Sequence, residues 1–205
     1  MAFRILDYIA SFPVRFPFLD PTIEPWKVTA SLPPFIEHFA ASLDLSAFQN
    51  AAGILIHNQA TIEPGAIIKA PAIVSAGCFV AATAYLRGGV VLDEAVTIGP
   101  ACELKSTIVM ASSRLAHLSF VGDSVIGSDV NLEAGVVVAN HFNERPDQGV
   151  TIHIGGRGIE TKVVRFGALI GDHSRVGANA VLSPGTVLPP HSVVARLGLV
   201  DQGTD

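Results

Sequence analysis

Seven histidines and two cysteines are the side chains of this 205-residue sequence best suited to proton transfer, nucleophilic attack or metal binding. Cys78 and Cys102 make no zinc or redox spacing. They read as small buried hydrophobes of a reducing compartment. Five histidines offer little: His38 falls on an apolar helical pattern, and His57, His153, His173 and His191 fall at turn or loop positions where a solvated ring is expected. His117 differs. It lies in Leu115-Ala116-His117-Leu118-Ser119-Phe120-Val121, where an otherwise regular pattern slips by one residue. A titratable ring at a break in a rigid scaffold can project into a groove between subunits. With an ordinary pKa of about 6.5, it can accept a proton at neutral pH.

The pattern that slips there has a period of six. Ile56, Ile62, Ile68, Val74, Val80, Leu86, Leu92, Ile98 and Leu104 succeed one another at that interval. If about a quarter of residues are Ile, Leu or Val, nine in a row by chance is on the order of 10⁻⁵ to 10⁻⁶. The series resumes at Leu115 and Val121, again at Ile126, Leu132 and Val138, and finally at Ile170, Val176, Leu182, Leu188 and Val194. Small or β-branched residues follow four places later, among them Ala66, Cys78, Ala84, Val96 and Ala180. A helix cannot use such a period, because six residues rotate the side chain by about 240° and no stripe forms. A short strand plus a turn can use it. Three such units of about 18 residues make one coil, and coils stack at the strand spacing of about 4.8 Å. The aliphatics fill a triangular prism and the small residues fit its corners.

The residue before each aliphatic should point outward, since the strand period is two. Ile67, Ile73, Phe79, Tyr85 and Val91 occupy such places and are oddly apolar for solvent. Charged residues make up only 15 % of the chain, against about 25 % in an average soluble domain. Both features imply a subunit interface. A net charge of −5 argues against nucleic acid or anionic membrane as the main partner. No apolar run approaches the roughly 18 residues of a spanning helix. Met1–Leu19, broken by Arg4, Asp7, Pro13 and Arg15, does not read as a signal peptide, so a cytoplasmic protein is expected.

Residues 1–50 lack the period. Pro33-Pro34 opens a helical pattern with Phe35, Ile36, Phe39, Ala40 and Leu43 on one face. Fifty residues are too few for a separate core, so a partly helical cap over the first coil is expected, followed by the repeat domain over 51–200. Residues 141–165 also break the period and read as an inserted loop projecting from the prism. The polar tail after Val200 is expected to fray.

The string from Leu86 to Asn140 resembles a known family. Leu86-Arg87-Gly88-Gly89, Glu103-Leu104-Lys105, Ala116-His117-Leu118 through Gly122-Asp123, Val130-Asn131 through Ala134-Gly135, and Asn140 follow one another as in the acetyltransferase domain of bifunctional N-acetylglucosamine-1-phosphate uridyltransferase/glucosamine-1-phosphate N-acetyltransferase. Phe166 to Gly171 is more similar to archaeal-type sugar-1-phosphate nucleotidylyltransferases, and Pro25-Trp26 to a segment of short stand-alone members. The resemblance implies an all-β fold, the left-handed parallel β-helix of hexapeptide-repeat acyltransferases, assembled as a homotrimer around a three-fold axis.

It also implies acetyl transfer from acetyl-CoA to an amino-sugar phosphate or nucleotide-sugar precursor. His117 is then the general base, Arg87 and Lys105 bind the sugar phosphate, and Asn131 and Asn140 bind hydroxyls or amides. Arg157, Lys162, Arg165 and Arg175 are candidates for the coenzyme A phosphates. No metal is expected. Two departures put the acceptor in doubt: Phe120 stands where the family has Tyr, and Pro146 where it has Lys. A hexapeptide scaffold without catalysis is the main alternative. A metal hydrase of the γ-carbonic anhydrase type would need three histidines; His117 and His141 are suitably separated, but the third place falls at Pro146.

Overall fold

In the computed structural model, which describes residues 3–202, the six-residue units are mostly two- and three-residue strands separated by turns, with longer strands at Tyr85–Leu92 and Glu103–Val109 that run round a corner, wound into a three-sided column. The first face is a seven-stranded sheet whose rungs are Thr61–Ile62, Phe79–Val80, Thr97–Ile98, Arg114–Leu115, Asn131–Leu132, Arg175–Val176 and Val193–Val194. All pair in parallel, so Thr97, Arg114, Asn131 and Arg175 form one outward ladder. The second face stacks Tyr85, Glu103, Phe120, Val137, Val181 and Leu199 in the same way. The third carries Ile73, Val91, Ile108, Val125, Leu169 and Val187 outward. This is a parallel β-helix.

The period-six stripe is its core. From Val74 to Leu104, and again from Leu115 to Leu182, every residue of the stripe is fully enclosed. Each enclosed aliphatic contributes roughly 1.5–3 kcal/mol. Cys78 and Cys102 lie in the same core. Burial pushes the Cys78 thiol up to about 11, and its Sγ donates to the Asp93 carbonyl at 2.9 Å.

Corners impose their own chemistry. Between the first and second faces, Thr83, Ala101, Leu118, Asn179 and Leu197 all take left-handed backbone conformations. The turn amide of each coil reaches the coil below: Leu118 N donates to Pro100 O, and Gly135 N to His117 O. Some corners leave no room for a side chain at all. A Cβ on Gly99 would lie 1.4 Å from the Ala116 carbonyl oxygen. Acidic corner residues accept amides from adjacent coils, as Glu63 does from Ala82 and Asp172 from Ser128.

The flanking segments differ from the expected ones. Three helices, α1 (Phe12–Arg15), α2 (Pro25–Ala30) and α3 (Leu32–Ala41), do not cap the first coil. They lie along the third face, where Phe12, Phe16, Trp26, Leu32 and Phe39 cover Ile73, Val91, Ile108 and Val125. At the first-coil end of the column the strand Phe48–Ala51 pairs antiparallel with Ile54–His57. Ile73 and Val91 are therefore covered by their own chain, not by a second subunit. The reason is amphipathicity: α3 buries Leu32, Phe35, Ile36 and Phe39, and the third face offers a complementary apolar flank in Ile73, Val91, Ile108 and Val125. Arg15 pins the strap to the column through Asp93 at 2.7 Å, and Asp172 accepts the Ala10 amide.

The segment 141–165 is likewise not a projecting loop. It forms an antiparallel hairpin, Thr151–Ile154 with Arg157–Glu160, that lies on the column with Phe142, Val150 and Ile152 buried. After Val200 the chain is held as far as Gln202, whose amide bonds both backbone groups of Val187; the rest of the tail expected to fray, 203–205, lies outside the described residues.

Candidate active site

The corner between the second and third faces carries the densest polar cluster. Lys105 ends the second-face part of the strand Glu103–Val109, in register with Arg87 below and Gly122 above. Its ammonium donates to Asp123 Oδ2 at 2.8 Å. Asp123 is itself buried, holds a left-handed turn with φ 45° and donates its amide to the Lys105 carbonyl at 2.7 Å. Asn140 Nδ2 donates to the same carboxylate oxygen. Gly122 makes this possible, because a Cβ there would lie 2.6 Å from Asn140 Nδ2. One coil below, Arg87 pairs with Glu103 at 2.6 Å and lies over the Tyr85 ring.

Asn140 is also where the hairpin insertion leaves the column. Its carbonyl accepts the Phe166 amide, and the Asp123 carbonyl accepts the Gly167 amide, so the two ends of the insertion are fastened at the cluster. The residues just before Phe166 then form one wall of a groove of about 570 Å³. Lys162 and Arg165 stand on that wall, Ser106 and Asp123 form the floor, and Thr29 and Pro33 from the α2–α3 junction form the other wall. Lys162 and Arg165 are exposed, and among the described residues neither has an ion-pair partner. The carboxylate on the floor is already matched by Lys105. The groove therefore presents net positive charge, suited to a phosphate or another anion.

The nine residues named from the sequence fall into separate places. Lys105 and Asn140 meet at Asp123, which lines the groove together with Lys162 and Arg165, and Arg87 lies one coil below in register with Lys105. Asn131 and Arg175 meet on the first face, in a cleft of about 320 Å³ shared with Glu133 and Arg196. There Arg175 pairs with Asp129 at 2.8 Å and Arg196 with Glu133 at 2.8 Å; these ion pairs hold the carboxyls of Asp129 and Glu133 below the usual carboxylate range. Arg157 is exposed at the hairpin turn. His117 stands exposed at the corner between first and second faces, one face away from Asp123, at most roughly 20 Å along the chain. Within one chain it does not touch the Lys105 cluster. Asp123 was legible only as the end of a Gly-Asp pair, and nothing in Thr29 or Pro33 signalled a groove wall.

Residues 51–154 and 79–201 match the family described as the GMPPB C-terminal domain, in two overlapping registers. The chain belongs to that family. A repeating column explains the double match, since a shift along it restores the same pattern. Among curated relatives of this GMPPB C-terminal domain protein, the "Bifunctional protein GlmU" of Methanococcus vannielii is 38 % identical over 125 residues, 60 % of this chain and 29 % of that protein. The "Bifunctional sugar-1-phosphate nucleotidylyltransferase/acetyltransferase" of Sulfurisphaera tokodaii is 37 % identical over 133 residues, 64 % of this chain and 32 % of that protein. The chain thus spans about three tenths of the length of these relatives. The solved acetyltransferase domain of PglB from Neisseria gonorrhoeae, in complex with acetyl coenzyme A, covers 90 % of this chain and 74 % of its own at 17 % identity and a TM-score of 0.31, too low to carry an argument.

Proposed function

We propose that this protein is a coenzyme A-dependent N-acetyltransferase acting on an amino-sugar phosphate or a nucleotide-sugar precursor. The observation that carries the reading is the anion-ready groove at the Lys105–Asp123–Asn140 corner, in a chain whose column aligns with proteins named for joint nucleotidylyltransferase and acetyltransferase activity. Lys162 and Arg165 supply the unpaired charge for phosphates of acetyl-CoA or acceptor. Arg87 and Lys105, already matched by Glu103 and Asp123, stand beside the floor and exchange part of that pairing for a sugar phosphate. Asn140, like Asn131 on the first face, offers an amide to hydroxyls or to the pantetheine.

The reaction needs an unprotonated amine. Its nitrogen attacks the thioester carbonyl, the C–N bond forms and the C–S bond breaks. The sulfur leaves with the electron pair, and His117 takes the amine's proton and returns it to that thiolate. In our reading His117 reaches a substrate in the groove of a neighbouring column, because the second face between the two corners is open and apolar. A homotrimer built on that face brings one copy's His117 corner toward the next copy's groove.

The test crosses acetyl-CoA with glucosamine 1-phosphate in thermal melts and turnover assays. Joint stabilisation by both ligands and release of free thiol are expected, since a ligand that binds only the folded state raises its melting point. Acetyl-CoA that neither stabilises the protein nor is consumed would overturn the reading and leave a scaffold.

A further inference from the structure

The groove beside Asp123 has two unlike walls. One carries the exposed cations Lys162 and Arg165, the other the exposed Ala30 and Pro33 of the α2–α3 junction. Between the cations Val164 is 55 % exposed, an apolar side chain on the charged wall. That wall is firmly built. The Val150 carbonyl accepts the Thr161 amide at 3.1 Å, and the Val150 amide donates to the Val163 carbonyl at 2.9 Å, so Lys162 lies between two bonds to one residue. It holds a left-handed backbone with φ 59°, which residues other than glycine adopt only at a cost. An extra residue in a ladder re-aims its side chain, and such bulges are common beside active sites. The apolar wall is fixed too. A Cβ on Gly89 would lie 3.4 Å from Leu32 and from Ile36, so α3 sits directly on the strand next to Gly88, itself part of the groove.

The cations alone would suit a sugar phosphate; the two walls together do not. A hexose phosphate is polar all round, gains nothing from Ala30, Pro33 and Val164, and does not fill a groove of about 570 Å³. That volume falls among the sites for larger ligands, roughly 300–1,000 Å³, in which apolar lining and a few fixed polar groups share the recognition. A nucleoside diphosphate meets both walls: its two linked phosphates match a lysine and an arginine, and its flat base covers the apolar side. We propose that the groove holds the nucleoside diphosphate of a nucleotide-linked amino sugar, with the phosphates on Lys162 and Arg165 and the base against Ala30 and Pro33. The inference rests on the reading of this groove as the acceptor's site, and it narrows that acceptor to a nucleotide sugar. Coenzyme A carries the same diphosphate chemistry, so the test separates the two sources.

The test is titration calorimetry on the full chain with UDP, GDP, sodium pyrophosphate and glucosamine 1-phosphate at constant ionic strength, repeated with coenzyme A present. It includes Ala30→Asp and the double variant Lys162→Ala/Arg165→Ala, all changes at exposed positions. At least one nucleotide should bind roughly tenfold tighter than pyrophosphate or glucosamine 1-phosphate, and coenzyme A should not displace it. The double variant should weaken it roughly tenfold to a hundredfold, and Ala30→Asp roughly tenfold, by like charge against the phosphates. In the unaltered chain the nucleotide should slow amide exchange in α3 and in residues 161–165 together, a readout that depends on no variant folding. No saturable binding of either nucleotide, pyrophosphate binding as tightly as both, unchanged affinity in both variants, or displacement by coenzyme A would each overturn the assignment. Nucleotide binding without consumption of acetyl-CoA would remove the transferase reading and leave the nucleotide site. Turnover with glucosamine 1-phosphate by a chain that binds no nucleotide would do the reverse.

Discussion

The second and third faces carry the same signal in sequence and end in opposite surroundings. Both present mostly apolar residues outward at the place before the core aliphatics, Glu103 on the second face being an exception. On the third face Ile73, Val91, Ile108 and Val125 are fully enclosed by the chain's own helices and hairpin. On the second, Ile67 is 50 % exposed, Val181 37 % and Leu199 68 %. An outward apolar ladder thus does not by itself say what covers it. On one flank the cover is the amphipathic strap; on the other no residue of the described chain supplies it.

The comparison can be broken most forcefully at Ile73. An Ile73→Asp substitution places a carboxylate beneath the strap with no cation beside it, and should cost at least about 3 kcal/mol. Chemical denaturation would show it, together with loss of protection in the 12–41 helices by hydrogen exchange. A loss under 1 kcal/mol would mean that the strap is readily lifted and that the two flanks differ less than their exposures suggest.

The next largest effect is expected at the groove floor. Lys105→Ala leaves Asp123 buried with its charge answered only by the Asn140 amide. The pair is partly open to water, which moderates the penalty to about 2 kcal/mol. Lys105→Met, which keeps the stem but not the charge, should lose nearly as much if the charge is what matters. Asp123→Asn in the Lys105→Met background should restore much of the loss, because it removes the unanswered carboxylate. A double-mutant cycle with no coupling between positions 105 and 123 would show that the pair contributes little.

How much of this could be read from the residues depends on how local the cause is. The column was legible because its core repeats: each rung buries one aliphatic in the same register, from Val74 through Leu182. Of the strap's helices only α3 was legible, since Pro33-Pro34 and the spacing of Phe35, Ile36 and Phe39 act within one turn of helix; α1 and α2 were not. The strap's position was not legible either. Nothing within residues 1–50 states that their apolar side matches Ile73 and Val91 rather than the open end of the first coil. The hairpin failed for a different reason. Its alternating Val150, Ile152 and Ile154, with Thr151 and His153 between them, is a strand pattern, but it is short and flanked by Gly149 and Gly155-Gly156, which read as loop. The groove lies further still from the sequence. Asp123 meets Asn140 only because Gly122 leaves a gap, and Thr29 reaches the same space only after the strap has folded along the third face.

On the open flank the expected effect on folding is small and the effect on assembly large. Val181 and Leu199 are neighbours on adjacent rungs. Replacing both with Asp should change the stability of the isolated chain by only about 0.5 kcal/mol for each site. Under the trimer reading, the same change places like charges in an apolar interface and should shift sedimentation from assembly to single chains. Unaltered sedimentation by the double variant would remove the second face as the place where columns meet.

The smallest effect on folding is expected at His117, and that smallness is what makes the substitution informative. Its ring is exposed at a corner, whereas its backbone carbonyl does the structural work by accepting the Gly135 amide. His117→Ala keeps that carbonyl, so the melting point should stay close to that of the unaltered chain and stability should change by less than about 0.5 kcal/mol. Under the proposed reading of His117 as general base, the substitution should lower turnover roughly a hundredfold or more. The two readouts therefore separate at this site, whereas at Lys105 they fall together because one side chain both secures the corner and shapes the groove. If His117→Ala keeps full turnover with acetyl-CoA, proton transfer belongs to another group. Asp123 is then the next candidate: in a Lys105→Met background its carboxylate is no longer neutralised, and turnover that depends on position 123 but not 117 would move the chemistry from the exposed corner to the buried one.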